Sequence, residues 1–227
     1  RNGIILINTN GDIVTIINKE TGLLDNDVKQ VIADKNRNLW LALQNGISTI
    51  EYSSPISFYT ENSGIKGSVQ CVRRYKGLLY VGTTTGLYVK NKGPRSVIQF
   101  TKVFNISDPV NSLIEADDNL FAGTDAVIFE ISSKGSAKVY NERSSALYYS
   151  PAYKLLLSGG SGISVFQKSS TFRKIKLYEE ITSDILSITG IEQQNPDSCV
   201  IWAGSRFNGV AIRLVFYKNL RSTIDQY

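Results

Sequence analysis

The chain has 227 residues, of which 42% are hydrophobic and 20% are charged, and its formal net charge is +5. This composition is that of a packed globular protein and excludes an intrinsically disordered chain. Histidine is absent from the sequence, which excludes a Ser-His-Asp triad and removes the commonest general base and metal ligand.

Three further features of the composition narrow the class of protein. No run of 18 apolar residues occurs, so no membrane-spanning helix is predicted. Cys71 and Cys199 lie in distant units, and a disulfide framework is not expected. The lysines and arginines are scattered along the chain. Because nucleic-acid recognition needs a clustered basic surface, we expect no nucleic acid to be bound by this domain.

The predicted elements are short strands from the first residues onward. Strands at residues 4–8 and 13–17 match only the last two strands of the units that follow. The next unit has polar turns rich in Asn, Asp and Gly, residues that accept the backbone conformations of tight hairpins. Four short antiparallel strands form one blade of a propeller. In this unit the strands are predicted at residues 28–34, 39–43, 47–52 and 56–60.

The unit recurs along the rest of the chain, over residues 69–102, 110–140, 146–178 and 185–217. In each copy an apolar strand ends in a small residue, and a turn leads to a second apolar strand. The second positions of these strands are 40, 41, 35 and 46 residues apart, close to the period of about 40–45 residues of propeller blades. They are Trp40, Tyr80, Phe121, Leu156 and Trp202, and the two tryptophans are expected to pack between blades.

The sequence therefore predicts an all-β propeller of four-stranded antiparallel blades, about five complete and one partial, in a single domain. The repeats are placed at residues 1–27 (partial), 28–68, 69–109, 110–145, 146–184 and 185–227. An open arc of a larger ring is favoured, because the chain starts in the middle of a unit and the last unit already holds three strands. A closed six-bladed ring is the alternative. The start at Arg1-Asn2-Gly3-Ile4 also predicts a piece of a longer protein.

One unit resembles a known repeat closely. Its segments are Gly22-Leu23-Leu24-Asp25-Asn26-Asp27-Val28, Val31-Ile32-Ala33-Asp34, Asn38-Leu39-Trp40-Leu41-Ala42 and Asn45-Gly46-Ile47. This pattern resembles the two-component regulator propeller repeat. The segment Leu78-Leu79-Tyr80-Val81-Gly82-Thr83, followed by Gly86-Leu87, is a second partial match, whereas the other copies have drifted.

The resemblance implies an extracytoplasmic sensor region of a bacterial hybrid two-component or triple-tyrosine-motif regulator, such as a histidine kinase ectodomain. It implies a periplasmic or extracellular location, an oligosaccharide ligand and a homodimer formed through the full-length receptor. The membrane would be reached only through segments outside this sequence.

The residues themselves offer little for catalysis. Asp117-Asp118 and Glu179-Glu180 are the candidate acid pairs, but adjacent residues of a strand point to opposite faces of the sheet and cannot form a facing dyad. Residues 34–38 lack the glycine and the closing glutamate of a calcium loop. We therefore expect no enzyme activity, no cofactor and no metal. A propeller lyase or glycosidase is the least favoured function.

A ligand would be bound at one face of a propeller, where the turns between second and third strands and the connections between blades meet. The two functions left open are a ligand sensor and a surface or secretion-associated scaffold for protein interactions, and the scaffold would expose a large apolar patch. The candidate binding residues are Asn45, Thr84, Asp125, Arg206, Phe207 and Asn208 in turns, and Asn62, Arg143 and Tyr148 in connections.

Overall fold

The structure is a computed structural model, and it describes most of the chain. The described residues are 3–51, 59–90, 99–132, 135–169, 171–178, 181, 184–195, 198–206, 209–217 and 221–227, with the backbone alone at 191–195. Within these ranges the chain consists of β-strands, turns and two single-turn 3-10 helices, Lys19–Thr21 and Glu61–Ser63.

All the sheets are antiparallel and their strands follow chain order, as in propeller blades. Blade 1 has β1 (Ile4–Ile7) and β2 (Ile13–Ile17), and blade 2 has β3 (Val28–Ala33), β4 (Leu39–Leu43) and β5 (Gly46–Ile50). Blade 3 has β6 (Val69–Tyr75), β7 (Leu78–Thr83), β8 (Gly86–Lys90) and β9 (Phe100–Lys102). Blade 4 has β10 (Val110–Ala116), β11 (Asn119–Thr124), β12 (Ile128–Ser132) and β13 (Gly135–Tyr140).

The last two blades are also four-stranded. Blade 5 has β14 (Ala146–Ser150), β15 (Leu155–Gly159), β16 (Ile163–Lys168) and β17 (Phe172–Tyr178). Blade 6 has β18 (Ile185–Asn195), β19 (Ser198–Ser205), β20 (Ala211–Tyr217) and β21 (Ser222–Gln226). The prediction of an all-β propeller is confirmed.

The predicted fourth strand of blade 2 needs correction. It was expected at residues 56–60, of which 56–58 lie outside the described residues, and Tyr59 and Thr60 are not in a strand. Thr60 instead precedes the 3-10 helix Glu61–Ser63, and its backbone N–H lies 3.3 Å from the hydroxyl of Ser63.

The chain divides into two compact units, residues 1–66 with 90–101 and residues 67–89 with 102–227. In the first unit, Leu23, Leu41 and Leu43 form a small buried cluster on one face of blade 2. Trp40 points to the opposite face, where its side chain is 44% exposed and its indole N–H donates to Asp34 at 3.1 Å. Packing of Trp40 between blades stays a prediction.

In the second unit the blades pack face to face in chain order. The innermost strands β6, β10, β14 and β18 each contact the next. Three buried clusters fill the spaces between the sheets: one around Leu120 and Phe129 joins blades 3 and 4, one around Phe121 and Phe166 joins blades 4 and 5, and one around Leu157 joins blades 5 and 6. This packing fixes the turns and connections relative to one another.

The hydrogen-bond register shows that the repeat in blade 5 is offset by one residue from the alignment made by sequence. Gly123 pairs with Ile128 in blade 4 and Gly159 pairs with Ile163 in blade 5, so Gly159 is the equivalent of Gly123. Leu157, two residues before Gly159, is therefore the equivalent of Phe121, whereas the sequence alignment had assigned Leu156 to that position. The turn of blade 5 is one residue shorter, and the run of three leucines has no landmark by which the shift could be seen.

Candidate functional site

The turns and blade connections of the second unit meet at one edge, which we call the connection face. Backbone hydrogen bonds tie each of its parts to the next. The N–H of Ser144, in the connection before β14, donates to Thr124 in the turn of blade 4 at 2.8 Å. The N–H of Ile185 donates to Gly160 in the turn of blade 5 at 2.8 Å, and that of Arg206 donates to Asp184 at 2.7 Å.

A chain of polar groups runs along this face across three blades. Arg143 lies at its centre: Nη1 is 3.1 Å from Oδ2 of Asp184, and Nε is 3.8 Å from Oδ1 of Asp125. Asn111 Nδ2 donates to the same Asp125 oxygen at 2.9 Å. The Arg143 side chain is one third exposed and that of Asp125 is half exposed. Carboxylates and a guanidinium that are both ordered and partly open to solvent can exchange hydrogen bonds with a ligand.

The structure thus brings together three of the sequence-predicted residues, Asp125, Arg143 and Arg206. Thr84 lies in the corresponding turn of blade 3, where its hydroxyl accepts from the N–H of Ser68 at 3.1 Å. Phe207 and Asn208 lie outside the described residues.

Tyr148 was expected in a connection but lies within β14. It packs against the buried cluster between blades 5 and 6. Its hydroxyl is so close to Gly190 that a Cβ atom there would lie 2.0 Å from it. A residue two places into an inner strand faces the neighbouring blade, which explains the difference.

Asn45 and Asn62 belong to the first unit. Asn45 lies in the turn between β4 and β5, and its amide donates to the carboxylate of Asp25 at 2.7 Å. Asn62 lies in the 3-10 helix Glu61–Ser63.

Asp117, from the acid pair at 117–118, is held by two neighbouring side chains. Asp117 is 2.5 Å from the ammonium group of Lys168 and accepts a hydrogen bond from the hydroxyl of Tyr149. The Lys168 contact, followed by the Tyr149 hydrogen bond, holds the pKa of Asp117 below its usual value. Burial, with the neighbouring Asp117, raises the pKa of Tyr149. Glu179 and Glu180 lie outside the described residues.

Among the residues that the structure describes, no group of three or more acidic or cysteine side chains is placed to hold a metal ion.

Sequence reasoning missed Asp184 and Asn111. Asp184 is 41 residues from Arg143, one repeat further along the chain, so only the blade packing reveals the pair. The available signal was their position: Asp184 immediately precedes β18 and Asn111 is the second residue of β10, so both lie where an inner strand starts.

The comparisons with known proteins give matches in structure only. No family model matches the chain, and no curated protein matches its sequence. Among solved structures, the extracellular domain of BT4673 from B. thetaiotaomicron, described as a one-component system, is 25% identical with a TM-score of 0.50. The match covers 79% of this chain and 26% of that one. A second structure describes the same protein as a hybrid two-component system, with 22% identity and a TM-score of 0.47 over 90% and 29% of the two chains.

The predicted resemblance to two-component regulator propellers is confirmed. This chain spans about a quarter of the length of the BT4673 domain. Sqt1 of Chaetomium thermophilum, solved with the N-terminus of ribosomal protein L10, has a TM-score of 0.55 at 12% identity over 87% of this chain and 57% of that one. At that identity the likeness shows the fold alone.

None of the helices in the described ranges has the length and apolar character needed to cross a membrane.

Proposed function

We propose that this chain is a non-catalytic ligand-sensing propeller of a periplasmic receptor of the two-component type, and that its ligand is an oligosaccharide bound at the connection face. The observation that carries the proposal is the chain of Asp125, Arg143 and Asp184, which gathers groups from three blades at one edge. The likeness to the extracellular domain of BT4673 supports the signalling role.

The chemistry of this edge suits a ligand rich in hydroxyl groups. Each carboxylate can accept a hydroxyl hydrogen bond, and the guanidinium of Arg143 can donate to a ring or hydroxyl oxygen while it keeps its ion pairs. Because the acidic and basic groups alternate, neither a strongly anionic nor a strongly cationic ligand is favoured. An oligosaccharide could contact several blades at once, whereas a smaller molecule would touch only one.

The experiment is a thermal-shift screen of the chain against a panel of neutral and acidic oligosaccharides. A ligand that binds only the folded state raises the melting temperature, and the shift grows with the logarithm of the ratio of its concentration to its Kd. We expect one glycan class to raise the melting temperature, and Arg143→Gln to reduce this shift.

The matched control is Arg213→Gln. Arg213 has an ion pair of nearly the same length, 3.2 Å to Asp225, and a similar side-chain exposure of 35%, but it lies on β20 away from the connection face. The proposal is wrong if no glycan shifts the melting temperature, or if both arginine variants respond to the glycan as the unmodified chain does.

A protein-interaction scaffold is the second candidate, and an apolar sheet face in the first unit favours it. Ile32 lies opposite Trp40, and Ala42 opposite Ile47, so these side chains share one face of blade 2. This face is apolar, and contiguous apolar side chains that reach solvent are typical of protein interaction surfaces. No shift with any glycan, together with capture of a protein that Trp40→Lys abolishes, would favour this function.

A further inference from the structure

The outer strands of blades 4 and 5 gather basic residues that are scattered in the sequence. β13 carries Lys138, and β17 carries Arg173, Lys174 and Lys176, whereas neither strand contains an aspartate or a glutamate. Both strands are the last in the order of their sheets, and all four basic side chains are exposed. We call these two strands the basic rim of the second unit.

Most of this charge is not compensated by a carboxylate within the part of the chain that the structure describes. Lys174 Nζ is 2.6 Å from Glu142 Oε2. Lys176 donates instead to the neutral hydroxyl of Ser222 at 3.1 Å. The other two basic side chains of the rim make no ion pair with the described residues. The basic rim therefore has a net positive charge, which attracts an anionic surface.

Exposed apolar side chains alternate with the charges of β17. Ile175 is 46% exposed and Leu177 is 41% exposed. The strand has a bulge at Ile175, because two successive residues of β16 lie opposite Lys174 and Lys176. A bulge leaves one residue out of the regular pairing and redirects its side chain. The basic strand thus presents two large aliphatic groups to solvent.

Phe104 adds an aromatic side chain beside β13. It lies in the connection between β9 and β10, is 82% exposed, and its carbonyl accepts a hydrogen bond from the hydroxyl of Ser136 at 2.6 Å. Ser136 and Lys138 are alternate residues of β13 and share one face of it. The hydroxyl of Tyr140 donates to the carbonyl of Phe172 at 2.5 Å and joins β13 to β17. The cations and the exposed apolar groups therefore belong to one continuous part of the molecule.

This combination of groups matches the surface of an anionic lipid bilayer. Lysine and arginine side chains are attracted to anionic lipid head groups, while aromatic and aliphatic side chains enter the boundary between head groups and acyl chains. A purely acidic polymer would pair with the cations but leave the apolar side chains in water. Lysines on an edge strand also oppose the addition of a strand from another protein.

We propose that the basic rim, with Phe104 beside it, binds a membrane surface that contains anionic phospholipids. This inference goes beyond the proposed function and does not depend on any ligand at the connection face. The sequence predicted that the membrane is reached only through segments outside it. The basic rim gives the propeller a membrane contact of its own.

The test is co-sedimentation of the whole chain with vesicles of phosphatidylcholine, with and without phosphatidylglycerol, at low and high salt concentration. We expect binding to the vesicles that contain phosphatidylglycerol, weaker binding at high salt because salt screens the charges, and little binding to phosphatidylcholine alone. Lys138→Gln combined with Arg173→Gln should weaken binding by about thirtyfold, the loss expected for two basic residues near an anionic surface. Ile175→Ser combined with Leu177→Ser should weaken it by about tenfold, because less apolar surface is buried.

Arg73→Gln combined with Arg74→Gln is the matched control. Both arginines are exposed and make no ion pair with the described residues, but they lie on the inner strand β6. This variant has the same net charge as the variant of Lys138 and Arg173, and it should bind as the unmodified chain does.

Three results would overturn the proposal. The first is no binding to vesicles that contain phosphatidylglycerol. The second is an equal loss of binding in the rim variant and the control variant, because net charge alone would then explain the binding. The third is binding of poly-glutamate without binding of vesicles, which would assign the basic rim to an acidic polypeptide.

Discussion

Replacing Gly123 with alanine tests the close packing of one blade against the next. A Cβ atom at Gly123 would lie 2.6 Å from the hydroxyl oxygen, 2.8 Å from the Cβ and 2.9 Å from the carbonyl oxygen of Ser144. Ser144 is completely buried, and its backbone N–H is held by Thr124 at 2.8 Å. Because the backbone of Ser144 cannot withdraw without breaking that hydrogen bond, the clash must be relieved by moving the two blades apart.

The expected magnitude follows from two opposing effects. Overpacking of a well-filled core costs about 1–3 kcal/mol. Alanine also restricts the unfolded chain, which returns about 0.4–1 kcal/mol. We therefore expect Gly123→Ala to lower the free energy of unfolding by about 1–2 kcal/mol. For a chain of this size, that loss corresponds to a fall in melting temperature of about 2–8 °C.

Gly204→Ala is the comparison, because Gly204 holds the equivalent position in blade 6. Among the described residues, the one atom within 4 Å of a Cβ atom there is the hydroxyl oxygen of Ser187, at 2.7 Å, and a hydroxyl can rotate away. The expected change is below about 0.5 kcal/mol in either direction. Urea unfolding followed by circular dichroism measures both variants. Equal losses of stability, or no loss for Gly123→Ala, would refute the packing argument.

Three further predictions concern charge and pH. Asp117→Asn should lower the urea midpoint at pH 7, and the difference from the unmodified chain should shrink below pH 4. The reason is that Lys168, and then Tyr149, lower the pKa of Asp117 in the folded state. The stabilisation from Asp117 is therefore present above its unfolded pKa of 3.8 and is lost as the pH falls. An unchanged difference at pH 3 would contradict this. Burial raises the pKa of the Cys71 thiol to about 11, so native Cys71 should resist a thiol reagent at pH 8. For the same reason, the stability that the chain loses from pH 9 to pH 11, measured by urea unfolding, should be smaller in Cys71→Ala. Rapid labelling of the folded chain would argue against this prediction. Arg143→Gln should change the melting temperature without ligand by less than about 3 °C, because its ion pairs are partly exposed; a larger loss would assign it a structural role.

The blade pattern was predictable because each inner strand carries the same sequence of apolar and small residues. Leu78–Thr83 and Gly86–Lys90 fall where the repeat places strands, and the polar turns between strands are equally evident. The shift at Leu157 was not predictable, since a shortened turn changes the alignment of a leucine run without changing its composition.

The candidate site was predictable in location but not in detail. That Asp125 and Arg143 share one edge follows from propeller topology alone. Their connection through Asp184 depends on how two successive blades pack. The equivalence of Gly159 with Gly123 becomes visible only when the hydrogen-bond register shows which residues pair.

Amide hydrogen exchange of the chain, with and without the oligosaccharide that gives the largest thermal shift, tests the central claim most directly. Binding at the connection face should slow exchange at residues 124–127, 141–145, 160–162 and 205–206. The hairpins at the opposite ends of the strands, residues 117–118 and 151–154, should exchange at the same rate in both samples. Slowed exchange confined to those hairpins, or no slowed exchange at the connection face, would contradict the account.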